Sequence, residues 1–186
     1  MTSPLDPIPL PPGLRAAEPD TAAYEAAVRE QRLADFGITD APRPDLDEAA
    51  AALGRAAGAA YAMVNRIGER QTFIGLYRAE DRPDLPIVTR TMTLEEGYCP
   101  SLLRRSKNLV LPDVYAIARF KSNPVVDQIG IRAYAGARIT DPRDGLVLGT
   151  VCLVDTRPRP ESTENELAAL ITEHCAGILP LLRLSR

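Results

Sequence analysis

The hydrophobic positions near the end of the chain recur at helical spacing. From residue 163 onward, apolar side chains fall three or four positions apart and would form one stripe on a helix. Thr163 can open this helix, and Glu166 follows at the spacing of a capping box. Pro180 is expected to kink or fray the last turn. The stripe, which includes the one histidine, comprises Leu167, Leu170, Ile171, His174, Ile178 and Leu181.

Two further helices are predicted in the first third of the chain. One covers residues 21–36 and ends at Gly37, because glycine accepts the left-handed conformation that often follows a helix. The second begins at Asp45, after a loop that contains two prolines, and ends at Gly58. Its predicted buried face comprises Leu46, Ala49, Ala50 and Leu53.

The middle of the chain has the pattern of short β-strands. Runs rich in β-branched and aromatic residues alternate with turn residues. The last two runs flank residues 141–145, where Pro142 and Gly145 suit a tight turn, so they are expected to pair as a hairpin. Residues 113–128 are predicted to be irregular or short-helical. The predicted strands cover residues 60–67, 71–77, 87–92, 108–111, 131–140 and 146–155.

The order of these elements predicts an α+β fold. Strands flanked by helices at both ends of the chain suit a central antiparallel sheet of five to six strands. The N- and C-terminal helices would cover one face, and the mixed helix and loop segment would cover the other. Residues 1–19 contain six prolines, which predicts a disordered tail, and residues 20–186 are expected to form a single domain.

Composition and charge narrow the classes of function. The formal net charge is −3 and the pI is about 5.3, which argues against a nucleic-acid or anionic-membrane surface because such surfaces need clustered Lys and Arg. The sequence lacks a signal peptide and a run of about 18 apolar residues, so a cytoplasmic location with reduced thiols is expected. Three cysteines without a CxxC pair and one histidine do not form the four-ligand set of a zinc site, and no metal is predicted.

Several short segments, in order from Leu33 to Leu181, resemble a known family. They read LADFGITDAP (33–42), GERQTFIG (68–75), GYC (97–99), LVLPD (109–113), ARFKSNPVV (118–126), IRAYAGA (131–137) and LGTVCLVD (148–155). Together, and at matching intervals, they resemble the GAF domains of bacterial signalling proteins, especially those of actinobacteria. The resemblance implies the GAF-like form of the α+β fold described above.

The resemblance also implies a class of function. A free-standing GAF domain is expected to be a sensory or regulatory module that binds a small molecule or a signalling partner in the cytoplasm, without catalysis. The sequence has no Gly-x-Ser-x-Gly elbow that would indicate a hydrolase. A homodimer through the terminal helices is expected, with Tyr24, Val28, Leu170, His174 and Ile178 near the contact.

Positions in the family pattern imply a binding pocket. The candidate residues are mostly apolar and aromatic, as pocket linings usually are. They could also be ordinary core residues, and the sequence leaves both interpretations open. The candidates are Tyr98, Cys99, Tyr115, Phe120, Val126, Ile131 and Tyr134.

No cofactor is predicted. Bilin-binding GAF domains normally hold the chromophore with a Cys-His pair, whereas Pro100 follows Cys99 in this chain. A haem would need an axial ligand, and the one histidine, His174, lies on the stripe of the last helix, which suits packing. The signature of nucleotide-binding members is also missing.

Cys99 carries the alternative function, that of a thiol-based redox sensor or reductase. The basic pair Arg104 and Arg105 could lower the pKa of its thiol. Cys152 lies in a strand pattern and is expected to be a buried, inert thiol, so no partner for disulfide exchange is expected near Cys99. Binding domain and thiol protein both stay open, and Cys99→Ser would separate them.

Overall fold

The computed structural model describes residues 21–183 of the chain. The predicted tail, residues 1–19, lies outside the described residues. Five helices and six strands follow one another, with short 3₁₀ turns at Cys99–Arg104, Val114–Ala116 and Glu161–Thr163. In chain order they are α1 (Thr21–Asp35), α2 (Pro44–Ala57), β1 (Tyr61–Ile67), β2 (Gln71–Arg78), β3 (Thr91–Met92), β4 (Leu109–Leu111), α3 (Ala118–Lys121), α4 (Pro124–Ile129), β5 (Ala133–Thr140), β6 (Val147–Asp155) and α5 (Glu164–Arg183).

The six strands form one antiparallel sheet in the order β3-β2-β1-β6-β5-β4. The pairing of β1 with β6 brings the two ends of the domain together at the centre of the sheet, and the predicted β5–β6 hairpin is present. The α+β prediction with an antiparallel sheet of five to six strands is therefore confirmed.

The sheet separates two hydrophobic cores. On one face, Leu33 of α1, Leu53 of α2 and Ile171 of α5 pack against alternate strand residues such as Val64. On the other face, the chain from Leu85 to Ile131 covers the sheet. Both layers follow from the period of two in the strands, which sends successive side chains to opposite faces.

The predicted third strand, residues 87–92, is wrong over most of its length. Only Thr91 and Met92 pair with β2. The side chain of Ile87 is 89% exposed, and residues 86–89 have no regular secondary structure. The alternation of apolar and polar residues in this segment reflects its position across the edge of the second core, where only some side chains reach inward.

The turn between β5 and β6 is held by a buried carboxylate. Asp141 is fully buried and accepts hydrogen bonds from the backbone and guanidinium of Arg143, the latter through Nη2 at 2.7 Å. Arg32 of α1 forms a second ion pair with the same carboxylate. Gly145 closes the turn with φ +78°, as predicted for its role.

Helix α5 continues through Pro180 to Arg183, so the helix does not end at the proline. Ile178, one of the residues predicted near a dimer contact, is 3% exposed and belongs to the core of its own chain, which corrects its assignment to an interface. Tyr24 is 67% exposed. The homodimer itself stays a prediction. Within residues 21–183, no helix combines the length and apolar character needed to cross a membrane.

Candidate functional site

A cavity of about 260 Å³ lies between the second face of the sheet and the segments that cover it. Strands β1, β2, β5 and β6 form its floor, and the turn at Gly97–Cys99 and helix α4 form its walls. Residues 86–89, which have no regular secondary structure, also line it. The lining residues are Met63, Gln71, Phe73, Pro86, Ile87, Val88, Thr89, Met92, Gly97, Tyr98, Cys99, Val125, Gln128, Ile129, Ile131, Tyr134, Cys152 and Val154.

The lining contains no residue that is ordinarily charged at neutral pH. Among the lining residues, all of which belong to the described part of the chain, none is Asp, Glu, Lys, Arg or His. The polar groups that line it are hydroxyls, amides and thiols, from residues such as Tyr134, Gln128 and Cys99. An isolated anion placed in such a cavity would lose its hydration without gaining a counterion.

Four of the seven predicted pocket residues line this cavity. Tyr98, Cys99, Ile131 and Tyr134 all face it, and each is at least 95% buried. The Tyr98 ring makes an edge contact with the Tyr134 ring at a centroid distance of 5.1 Å. These residues thus form one continuous wall, while their role in binding stays a prediction.

The other three predicted residues lie elsewhere. Phe120 packs behind Tyr98 in an edge contact at 5.6 Å, and Val126 is buried in the same core, but neither lines the cavity. Tyr115 is 45% exposed on the surface, with the Arg132 guanidinium 4.2 Å from its ring centroid. These positions correct the prediction that all seven residues line one pocket.

The turn that holds Tyr98 and Cys99 is fixed by buried amide groups. Gln71 is fully buried, and its Nε2 donates to the carbonyls of Thr93 at 2.5 Å and Glu96 at 2.7 Å. Its Oε1 accepts a hydrogen bond from Asn65 Nδ2 at 3.1 Å. A backbone segment without regular structure thereby gains the hydrogen bonds that a strand partner would otherwise supply.

Cys99 contacts a second cysteine. Its Sγ lies 3.5 Å from Sγ of Cys152 on β6 and 3.4 Å from Oη of Tyr134. Cys152 Sγ lies a further 3.8 Å from Sδ of Met63. Cys152 is buried as predicted, but the expectation that Cys99 has no sulfur partner nearby is wrong. Both cysteines are free thiols.

Neighbouring groups and burial shift the pKa values of the two thiols in opposite directions. The pKa of Cys99 is lowered, first by its hydrogen bond with Cys152 and then by the Thr150, Tyr134 and Asn65 side chains, against the opposing effect of burial. The pKa of Cys152 is raised, because its proton bonds to Cys99 and because it is buried. Uncharged groups, and not the predicted arginine pair, therefore favour the Cys99 thiolate.

Two polar atoms beside this thiol pair have no hydrogen-bond partner within the described residues. They are Oδ1 of Asn65 and Oγ1 of Thr150, both on fully buried residues that pair across β1 and β6. Thr150 and Cys152 are two positions apart on β6 and share a face of the sheet. The sequence contained this signal, since the period of two already places Thr150, Cys152 and Val154 together.

A glycine makes room for Tyr134. Gly136 lies two residues along β5 on the same face, and a Cβ atom at this position would come within 2.2 Å of Tyr134 Oη. Leu102 Cδ1 would be 3.0 Å away. The absence of a side chain at Gly136 therefore lets the tyrosine hydroxyl lie along the strand and reach Cys99.

Metal-ligating side chains do not cluster in the described part of the chain. Within residues 21–183, no three His, Cys, Asp or Glu side chains converge as a candidate metal site. Cys175, the third cysteine, is half-buried on α5, and its Sγ donates to the Arg138 carbonyl at 3.1 Å. Burial raises the pKa of its thiol to about 11.

An antiparallel sheet with helices on one face and a mixed segment over a cavity on the other defines the architecture of this small α+β domain. The family model for the GAF domain matches residues 44–179. The chain belongs to the GAF domain family, as the sequence segments predicted. A search of curated proteins finds no match to the chain.

Solved structures share this fold at low sequence identity. The chain is similar to the free methionine-R-sulfoxide reductase from Neisseria meningitidis in complex with its substrate, with TM-score 0.51, 16% identity and coverage of 88% of this chain and 95% of that one. It is also similar to the type II free methionine-R-sulfoxide reductase from Thermoplasma acidophilum, with TM-score 0.56, 12% identity and coverage of 75% and 91%.

A third similar structure is the phycocyanobilin-bound GAF domain from a cyanobacterial phytochrome. Its TM-score is 0.56 at 14% identity, with coverage of 88% of this chain and 96% of that one. At these identities the likeness concerns the fold alone. The neighbours include both enzymes and photoreceptors, so the function of this chain has to be argued from its own cavity.

Proposed function

We propose that this GAF domain is a non-catalytic sensory module whose cavity binds a small, uncharged and mainly apolar molecule. GAF domains are in general sensory or regulatory ligand-binding domains, and the cavity gives this chain a place for a ligand. The observation that carries the proposal is the uncharged lining of the 260 Å³ cavity. Four residues that the family pattern singled out belong to that lining.

The uncharged lining decides between classes of ligand. Free methionine sulfoxide, the substrate class in the names of two structural neighbours, carries an ammonium and a carboxylate group at neutral pH. Its carboxylate would meet no cationic counterion among the lining residues of this cavity, and burying an unpaired charge is costly. A nucleotide or a bilin with its propionates meets the same difficulty. A neutral ligand can instead use hydrogen bonds to groups such as Tyr134 and Gln128.

The volume of the cavity indicates the approximate size of the ligand. Because one water occupies about 30 Å³ of liquid, the cavity corresponds to roughly nine water molecules. A compact ligand of about ten non-hydrogen atoms is the size that such a space favours. The aromatic and sulfur-containing side chains on the floor, such as Phe73 and Met63, suit an aromatic or unsaturated ring.

Strands β1 and β6 connect the cavity with the packing on the opposite face of the sheet. Strands β1 and β6 carry cavity residues such as Met63 and Cys152 on one face, while Val64 and Leu153 of the same strands pack against the terminal helices on the other. A ligand with different affinity for two arrangements of the sheet would shift the packing of α1, α2 and α5. The signal would then pass to a partner protein or to a second copy of the chain.

Native mass spectrometry of the purified chain, before and after denaturation, tests the proposal. We expect a non-covalent adduct that is released on unfolding. Its mass should identify a small, uncharged compound. Ile129 lines the cavity and is half-buried at its edge, so Ile129→Trp should fill the space and abolish the adduct without disrupting the core. Ile117 is 43% exposed and does not line the cavity, so Ile117→Trp is the matched control and should retain the adduct.

A second candidate function is thiol-based redox sensing at Cys99. The observation that favours it is the 3.5 Å contact between Cys99 Sγ and Cys152 Sγ, which supplies the partner that the sequence did not indicate. In this case Cys99→Ser abolishes the biological response, whereas in the purely ligand-binding case the response survives. Cys175→Ser, on the far helix, is the control for both.

A further inference from the structure

We propose that Cys99 and Cys152 form a reversible disulfide when a small neutral hydroperoxide enters the cavity. The proposal rests on the second candidate function and on the uncharged cavity of the first. It names the reactive pair, the order in which the two cysteines react and the class of oxidant.

The two thiols are placed for direct exchange. Their sulfur atoms are already 3.5 Å apart, and both side chains line the cavity. Cys99 is 5% exposed and Cys152 is 2% exposed, so the cavity, and not the outer surface, is the route by which a reagent reaches them. The third cysteine, Cys175, lies in a different core on the opposite face of the sheet.

The groups around Cys99 suit a thiolate without any cation. Tyr134 Oη is 3.4 Å from its sulfur, and the Cys152 thiol lies against it on the other side. The Thr150 side chain also lowers the pKa of Cys99, and its hydroxyl makes no other hydrogen bond within the described residues. Because these donors are neutral and the Cys99 thiolate is an anion, an anionic oxidant is repelled by the site, whereas a neutral oxidant is not.

The first step oxidises Cys99. Its thiolate attacks the terminal oxygen of the hydroperoxide, so an S–O bond forms and the O–O bond breaks. Cys99 becomes a sulfenic acid, and the leaving alkoxide takes the proton of the Cys152 thiol to give an alcohol. Sulfur loses two electrons, and the peroxide gains them.

The second step joins the two sulfurs. The Cys152 thiolate attacks the sulfenic sulfur of Cys99, forming the S–S bond while the S–O bond breaks. The departing hydroxide takes up the proton that Cys99 released at the start. In total, two thiols and one hydroperoxide give a disulfide, an alcohol and water. An external thiol reverses the reaction by exchange.

The bond would couple oxidation to the structure of the domain. It would join β6, near the centre of the sheet, to the start of the 3₁₀ turn Cys99–Arg104, directly after Tyr98. Tyr134 would lose the thiol that it contacts. Oxidation and ligand binding would therefore act on the same wall of the same cavity.

The experiment treats the reduced full chain with tert-butyl hydroperoxide under anaerobic conditions and follows it by intact mass and peptide mapping. We expect a loss of about 2 Da, a Cys99–Cys152 cross-linked peptide and full reversal by dithiothreitol. Cys175→Ser should behave like the parent. In Cys152→Ala, Cys99 should react more slowly because its largest acidifying contact is gone, and its sulfenic acid should persist and be trapped by dimedone. The map of the parent chain needs no variant, so poor folding of Cys152→Ala does not obscure the result.

The oxidant class is tested by comparing tert-butyl hydroperoxide with the anion peroxymonosulfate. Each rate is divided by the rate of the same reagent with N-acetylcysteine, and we expect a preference of about tenfold or more for the neutral reagent. Equal relative rates, a disulfide that involves Cys175, or an unmodified Cys99 in the parent chain would overturn the proposal. If neutral ligands bind while no cross-link forms, the thiol proposal alone fails. If the cross-link forms in a chain whose cavity binds nothing, the ligand-binding proposal alone fails.

Discussion

Asn123 and Gly97 exchange two hydrogen bonds at the wall of the cavity. The Gly97 amide donates to Asn123 Oδ1 at 2.9 Å, and Asn123 Nδ2 donates to the Gly97 carbonyl at 2.8 Å. Asn123 Oδ1 also accepts from the Val125 amide at the start of α4. One side chain thus joins the turn before Tyr98 to the helix that closes the cavity, and Gly97 adopts φ +73° to make both backbone groups available.

Asn123→Ala should loosen this wall. The substitution removes a helix cap and both bonds to Gly97, which should reduce the free energy of unfolding by about 2–3 kcal/mol in urea denaturation. It should also weaken ligand binding, because α4 and the turn at Gly97 would no longer be joined. Asn108, whose Nδ2 bonds to Thr172 at the surface, provides the control, and Asn108→Ala should cost well under 1 kcal/mol. Equal losses for the two variants would contradict this role.

Gly136→Ala should displace Tyr134. The added Cβ would meet the buried tyrosine ring end at 2.2 Å, and overpacking of this kind costs about 1–3 kcal/mol. Thermal unfolding measures the loss, and the reactivity of Cys99 should change with it, because Tyr134 Oη would move. Gly177 in α5 has nothing within 4 Å of the corresponding position, so Gly177→Ala should be neutral or stabilising by roughly 0.5–1 kcal/mol. A stable Gly136→Ala protein with unchanged Cys99 reactivity would refute the packing argument.

Tyr134→Phe should make Cys99 less acidic. The phenol contacts the Cys99 sulfur, and the pKa of the thiol is lowered, first by Cys152 and then by Thr150, Tyr134 and Asn65. Removing one donor should move the pH midpoint of alkylation by iodoacetamide upward by about one pH unit or more. The measurement is the rate of Cys99 labelling against pH, read by peptide mass spectrometry.

The labelling experiment has a control on the surface. Tyr115 is 45% exposed and lies outside the cavity, so Tyr115→Phe should leave the midpoint at its parent value. Superimposable pH profiles for the parent and Tyr134→Phe would show that the tyrosine hydroxyl does not act on the thiolate.

Asp141→Asn should remove an acid-sensitive part of the stability. The Arg143 side chain, with a further contribution from Arg32, holds the pKa of the Asp141 carboxyl well below its usual range. A carboxyl with a lowered pKa in the fold contributes stability above its unfolded pKa of about 4, and this contribution is lost as the pH falls further. The variant should be less stable than the parent by about 3 kcal/mol at pH 7. The difference should narrow below about pH 4 in urea denaturation.

The neighbouring carboxylate is the control for this effect. Asp144 pairs with the same Arg32, but its side chain is 47% exposed, so Asp144→Asn should cost less than about 1 kcal/mol at pH 7. A difference between the parent and Asp141→Asn that stays constant from pH 7 to pH 3 would contradict the assignment of the buried ion pair.

Most of the fold was predictable because its signals are local. The β5–β6 hairpin follows from Pro142 and Gly145 in the connector, and the end of α2 follows from Gly58, which is left-handed as expected. The predicted strand at residues 87–92 is wrong over most of its length because alternation of apolar and polar residues does not supply a partner strand. These side chains alternate at the edge of a core, and the side chain of Ile87 is 89% exposed.

The candidate site was predictable only in part because it depends on contacts between distant segments. The family pattern singled out Tyr98 and Tyr134, which line the cavity, but also Tyr115, whose surface position is set by contacts with Arg132 and Lys121. The contact between Cys99 and Cys152 spans 53 positions of sequence. Nothing local in either segment indicates it, since it requires the 3₁₀ turn at Cys99 to fold back over the face of β6.

The most direct test of the central claim compares two ligands of nearly equal size and shape that differ in charge. Benzamide is neutral and benzoate is an anion, and their binding to the full chain can be measured by thermal shift and by calorimetry. We predict that benzamide stabilises the parent and the Ile117→Trp variant, does not stabilise Ile129→Trp, and binds at least about tenfold more tightly than benzoate. Equal or tighter binding of the anion, or stabilisation by benzamide that survives Ile129→Trp, would contradict an uncharged ligand site in this cavity.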